Sequence, residues 1–207
     1  MSSMNQDVEL RCRCGEVHGQ ARGVSPATVN RVICYCDDCQ AFMHHLGRAD
    51  LLDAHGGTDI VQVAPSSLTF DRGTERIAAL RLSPKGVYRW HSSCCKTPLG
   101  NTVLPSLPFV GIPIGLFVVG DAARRDELFG KADTLHGKFA IGAPPAGSTG
   151  LKLGLLARSV RIILGWKLAG KAWPHPYFDR NQTPAYPVTT IPLAERTALR
   201  PLCGPKP

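Results

Sequence analysis

The chain has 207 residues, 43% of them hydrophobic and 19% charged, which excludes a disordered or fibrous protein and allows one core-bearing domain with an extension. Its 21 glycines and 17 prolines argue for many turns and few long helices. A net charge of +8 permits an acidic partner without requiring one, because a basic surface also serves solubility.

Residues 1–10 are polar and lack an apolar run, so no secretory signal is expected there. Residues 8–12 alternate as a short strand does and run into Cys12-x-Cys14-Gly15, where the glycine suits a tight turn. Residues 17–21 continue as a second strand. The β-branched run 30–34 leads into Cys34-x-Cys36-x-x-Cys39, and residues 40–46 read as a helical turn. Strand-like pieces recur at 60–63, 68–70, 77–82 and 87–90, with turn signals at 65–67, 71–73 and 83–86. The last of them delivers His91, Cys94 and Cys95, so all three cysteine clusters fall at strand ends. Residues 104–120 are almost wholly apolar, but their prolines exclude a regular helix. A loop followed by a buried strand over 112–119 is expected there, and Asp121 is placed to cap a short helix running through residue 129. Trp90, Phe42 and Phe109 read as core.

The last third changes character. Residues 134–178 contain no acid, while Lys138, Lys152, Arg158, Arg161, Lys167 and Lys171 are basic. Residues 151–168 look helical, with Leu153, Leu156, Val160, Ile163 and Leu164 on the side expected to pack on the β core, and Arg158 and Arg161 on the side left in water. Four basic residues, with Gly154 and Gly165, speak against a membrane span. The sharper alternative for this helix is a contact with a membrane surface or nucleic acid. Beyond residue 173 a proline-rich tail is expected to wrap the surface, leaving Cys203 as a free thiol.

Seven of the eight cysteines sit in the three short clusters. C-x-C and Cys-Cys spacings suit a metal knuckle better than a disulfide framework, and the reading implies a reducing, cytoplasmic compartment. Zinc prefers soft thiolates at a tetrahedral centre, closed by four protein ligands in structural sites and left open by three in catalytic ones. One candidate site joins Cys12 and Cys14 to the region of Cys94 and Cys95. The other is Cys34, Cys36 and Cys39 alone.

The order Cys12-x-Cys14-Gly15, then Cys34-x-Cys36-x-x-Cys39, then a cysteine knuckle before Thr97-Pro98-Leu99, resembles the glutathione-dependent formaldehyde-activating enzyme and centromere protein V family over roughly residues 8–120. The resemblance implies a mainly β chain: a small antiparallel β zinc-binding domain over 8–120, with a helical, proline-rich extension over 121–207 packed on it. It implies one structural zinc on the outer pairs and one catalytic zinc on the triplet. The third knuckle departs from the family's C-x-x-C-G-T. Aligning on Thr97 puts Cys95 at the second cysteine, Ser92 at the first and Lys96 at the glycine; aligning on the spacing pairs His91 with Cys94. Cys95 with Cys94 is the preferred pair, and Cys94 with His91 the next.

The activity implied by the resemblance is that of a carbon–sulfur lyase acting on a glutathione-type thiol adduct of a small aldehyde such as formaldehyde, with Cys34, Cys36 and Cys39 as the catalytic metal ligands and a small-molecule thiol or its adduct as partner. The alternative is a non-enzymatic zinc module contacting nucleic acid or another acidic partner, which the +8 charge permits; a purely structural pair of zincs is a third. His44 and His45 read as solvated histidines before they read as proton shuttles, and turn chemistry accounts for Asp37 and Asp38.

Overall fold

In the computed structural model, which describes residues 5–150 and 152–205, eleven short strands form two sheets, accompanied by four α-helices. In chain order they are β1 Gln6–Arg11, β2 His18–Val24, β3 Asn30–Cys34, α1 Asp37–His45, β4 Thr58–Val63, β5 Leu68–Arg72, β6 Ile77–Arg81 and β7 Tyr88–Ser92. There follow β8 Pro98–Thr102, β9 Val110–Pro113, α2 Ala122–Phe129, β10 Asp133–Leu135, α3 Leu153–Leu168, β11 Val188–Thr190 and α4 Leu193–Leu199. The smaller sheet has the order β1-β2-β5 and the larger β10-β3-β4-β9-β8-β7-β6-β11. All pairings are antiparallel except the two at the ends of the larger sheet, where β10 lies parallel to β3 and β11 parallel to β6. The chain is mainly β, as its turn-punctuated strand pattern implies.

Local chemistry explains most boundaries. The β1–β2 hairpin turns at Gly15, whose φ of +80° is the left-handed backbone that glycine adopts without strain. Asp121 caps α2 by accepting from the Arg124 amide at 2.9 Å, and α2 ends at Phe129.

Five expectations need correction. The helix expected over 40–46 begins at Asp37, inside the cysteine triplet, because Asp37 and Asp38 suit the positive end of a helix. The strand expected over 112–119 is instead β9, ended by Pro113, which lacks the amide a ladder needs; a tight helical turn follows at Ile114–Leu116. Strand β8 lay in a stretch with no β pattern, since Pro98, Gly100 and Asn101 mask it, yet it is central in the sheet. The tail does not merely wrap the surface: Tyr177 and Phe178 are buried, and β11 joins the sheet. The fifth concerns the helix expected over 151–168, of which residue 151 lies outside the described residues and α3 spans Leu153–Leu168. Its buried side is Leu155, Ile162 and Trp166, while Leu153, Leu156, Val160 and Leu164 face solvent. A wide apolar arc offers two possible faces, and the one that carries Trp166 is buried.

The core centres on Trp90 of β7. Its indole stacks on Tyr177 at 4.6 Å, meets Phe178 edge-on at 5.4 Å and donates from Nε1 to the Thr102 hydroxyl at 2.9 Å. The Tyr177 hydroxyl donates to the Leu99 carbonyl at 2.9 Å. Phe42 is also fully buried, and Phe109 is half-buried.

Two buried histidines make this core sensitive to acid. Burial pushes the imidazole pKa of both His91 and His175 down to about 4. In the unfolded chain they titrate near about 6.5, so between these values the unfolded state binds more protons, and stability falls as pH falls. Lowering the pH from 7 to 5 should therefore cost on the order of 2 kcal/mol for each histidine. Denaturant midpoints measured across that range should show the loss, and a His91→Gln/His175→Gln double variant should flatten it; an equally steep profile in that variant would assign the acid sensitivity to other groups.

Candidate metal centres

Cys12 follows β1 directly and Cys14 sits in the turn after it, while Cys94 and Cys95 occupy the turn between β7 and β8. The fold brings the four Sγ atoms within 4.8 Å of one another. Cys12 lies 3.5 Å from Cys14, Cys14 lies 3.4 Å from Cys94, and Cys94 lies 4.0 Å from Cys95. Tetrahedral zinc with thiolate bonds of about 2.3 Å has sulfur–sulfur edges of about 3.8 Å. The spacing thus fits that metal, and all the cysteines are free thiols.

Backbone amides and hydroxyls hold the knuckles together. The Val17 amide donates to Cys12 Sγ at 3.2 Å, and the Arg13 amide donates to Thr97 Oγ1 at 3.0 Å, tying one turn to the other. Cys95 Sγ lies 3.3 Å from Ser92 Oγ and 3.1 Å from Thr97 Oγ1. Burial opposes ionisation of Cys95, but these hydroxyls overcome it and bring its pKa down to about 5. Cys12 and Cys94 move the other way: burial raises both, Cys94 to about 12. Lys96 between Cys95 and Thr97 has φ of +56°, a backbone that glycine would hold without strain. His91 is buried with Nδ1 lacking a partner among the described residues, and it is not in the sulfur group.

The triplet is built differently. Cys34 ends β3, Cys36 caps the N-terminus of α1, and Cys39 lies in its first turn. Their Sγ atoms also lie within 4.8 Å of one another, and no fourth histidine, cysteine or carboxylate joins them among the described residues. Cys34 and Cys39 are buried and Cys36 is half-buried. Sulfur-to-sulfur hydrogen bonds from Cys34 and Cys36 hold Cys39 well below the usual thiol range, against its burial, and the same sharing raises Cys34. Three gathered soft donors are a donor set suited to a three-ligand zinc site.

Sequence reading missed Arg89. This residue of β7 is 3% exposed, donates to Cys39 Sγ at 3.9 Å and to Asn101 Oδ1 at 3.3 Å, and lies 3.7 Å from Asp38. Burial opposes its charge, but Cys39 and Asp38 hold its pKa above the usual arginine value. An arginine inside a strand pattern, beside the fully buried Trp90, was the available signal. Asp37 and Asp38 pair with Arg200, Arg196 and Arg89 rather than serving a turn alone. His44 and His45 end α1, about 7.5 Å or more along the axis from Cys39. Both are half-buried rather than solvated, and His45 pairs with Glu195 at 2.7 Å. Cys203 is also half-buried, its Sγ 3.6 Å from the Asp37 carbonyl.

A cavity of about 450 Å³ opens nearby, lined by Leu135, Leu155, Lys138, Lys152, Ser148 and His136 among others. Leu135 and Leu155 also pack in the apolar cluster that contains the triplet.

A crystal structure of a Rhodobacter sphaeroides protein, a Northeast Structural Genomics target, is 15% identical with a TM-score of 0.42, covering 61% of this chain and 98% of that one. No curated protein matches. Residues 4–189 match DUF6151, described as a family of unknown function, and the chain belongs to that family.

Proposed function

We infer that both cysteine clusters bind zinc and that the triplet makes and breaks the carbon–sulfur bond of a thiol–aldehyde adduct, as the resemblance to the glutathione-dependent formaldehyde-activating family implies. The observation that carries this reading is the gathering of Cys34, Cys36 and Cys39 without a fourth histidine, cysteine or carboxylate among the described residues, beside the buried guanidinium of Arg89. The left-handed Lys96 supports the register in which Thr97 ends the third knuckle, with Cys95 at the second cysteine position and Cys94 replacing the one that Ser92 occupies.

Zinc bound by the triplet would supply a Lewis-acidic open position at which a substrate sulfur is held as thiolate. The chain's own part is to position and to balance charge. Three thiolates around a divalent ion carry a formal charge of about −1, and Arg89 brings a compensating charge that Cys39 and Asp38 keep in place against its burial. Lys138 and Lys152 at the cavity suit a thiol bearing carboxylates, and Leu135 and Leu155 form its apolar wall. In the cleavage direction the adduct's hydroxyl loses its proton as the carbonyl forms, the electron pair of the carbon–sulfur bond passes to sulfur, and the released thiol takes up a proton. No oxidant or reductant is consumed.

Metal analysis of the purified chain, with a glutathione titration, tests this reading. Two zincs per chain and a thiol that perturbs only one of them are expected. Two zincs without thiol affinity would leave a structural scaffold and remove the catalytic reading.

A further inference from the structure

We propose that α3 is a peripheral docking helix for anionic lipid surfaces. The helix is fixed on the protein by one side. Leu155, Ile162 and Trp166 are buried, Asn30 donates to Ser159 Oγ at 3.0 Å, and Arg158 donates to the carbonyls of Pro26 and Val29 at 2.8 and 3.1 Å. These anchors leave the opposite side facing solvent. Leu153, Leu156, Val160, Leu164 and Leu168 there are 68, 52, 55, 51 and 80% exposed. Their spacing follows the helical repeat, so they make one apolar stripe about 22 Å long.

Charge decides what covers the stripe. The exposed side chains of Arg161 and Lys167 border it, Lys171 follows it, and no acidic residue occurs anywhere in 134–178. A second copy docked through the same stripe would bring these cations face to face without a counter-charge. Nucleic acid would pair with the cations but would leave the leucines in water. An interface of anionic headgroups over acyl chains takes both, the leucines entering the chain boundary and the cations meeting the headgroups. None of the described helices is long and apolar enough to cross a membrane, so the helix lies in the surface plane.

Co-sedimentation of the full-length chain with phosphatidylcholine vesicles containing phosphatidylserine tests this, with pure phosphatidylcholine as the comparison. Binding is expected to the mixed vesicles, weaker to the pure ones and weakened by salt. A Leu164→Ser/Leu168→Ser variant should lose about tenfold or more in partitioning. These side chains are half-exposed or more, so an unchanged circular dichroism spectrum is expected. An Arg161→Gln/Lys167→Gln variant should lose the preference for phosphatidylserine, which gives a second readout if the leucine variant misfolds. Equal binding by the leucine variant would overturn the proposal. So would a wild-type dimer that this variant dissolves, or salt-sensitive binding to duplex DNA without vesicle binding. None of these readouts depends on metal or on thiol chemistry.

Discussion

Replacing Cys14 with serine should remove one zinc equivalent and lower the thermal midpoint, with little loss of packing. Cys14 is exposed, so the substitution empties no core volume and isolates the ligand itself. On the proposed reading it breaks a metal cross-link: Cys12 and Cys14 belong to the β1–β2 hairpin, whereas Cys94 and Cys95 belong to the turn between β7 and β8. Structural zinc contributes about 10–16 kcal/mol in finger peptides that have no other core. This chain has a core around Trp90, so the loss should be partial, roughly 3 kcal/mol, or roughly 6–12 °C in the midpoint for a protein of this size. Chelation of the wild-type protein should lower the midpoint at least as far, and should shift the variant by less than it shifts the wild type. His91→Ala should leave the zinc count at its wild-type value, because His91 lies outside the sulfur group. Full zinc content in Cys14→Ser would remove this cluster as a metal site.

Cys36→Ser should abolish turnover of a thiol–aldehyde adduct, by roughly a thousandfold or more, while the fold survives. Cys36 caps α1 without a side-chain hydrogen bond, and serine is a better helix cap than cysteine, so the local structure tolerates the change. The loss should come with the second zinc equivalent. Arg89→Met separates charge from ligation: the triplet should keep its metal but bind thiol more weakly, with the deficit appearing in KM before kcat. Retained turnover in Cys36→Ser would sink the catalytic reading and leave the metal reading to be judged on stoichiometry alone.

The sequence made short-range features legible and left long-range ones hidden. Strand β3 and the capped helix α2 follow from β-branched residues, an aspartate cap and nearby turn signals, all local causes. The cysteine clusters were visible because soft ligands at knuckle spacing have few other uses. Arg89 was not visible, since its role depends on β7 and α1 meeting across the fold. Leucines lie nearly all around α3, so its pattern alone does not choose a face; the buried side is set by contacts made across the fold, with Trp166 and Ile162 packed beside Ala64 and Leu155 in the cluster of the cysteine triplet. The tail looked like a surface wrap because its prolines were plain, whereas the partner of Tyr177 is an indole encoded far upstream.

The parallel pairing of β11 with β6, Val188 opposite Ala79, also bears on how the chain reaches this state. Until the ribosome has delivered residues 188–190, β6 is a bare edge, its amides and carbonyls free to recruit a strand from another nascent chain. The final strand therefore acts as a guard against intermolecular pairing as well as a piece of the sheet.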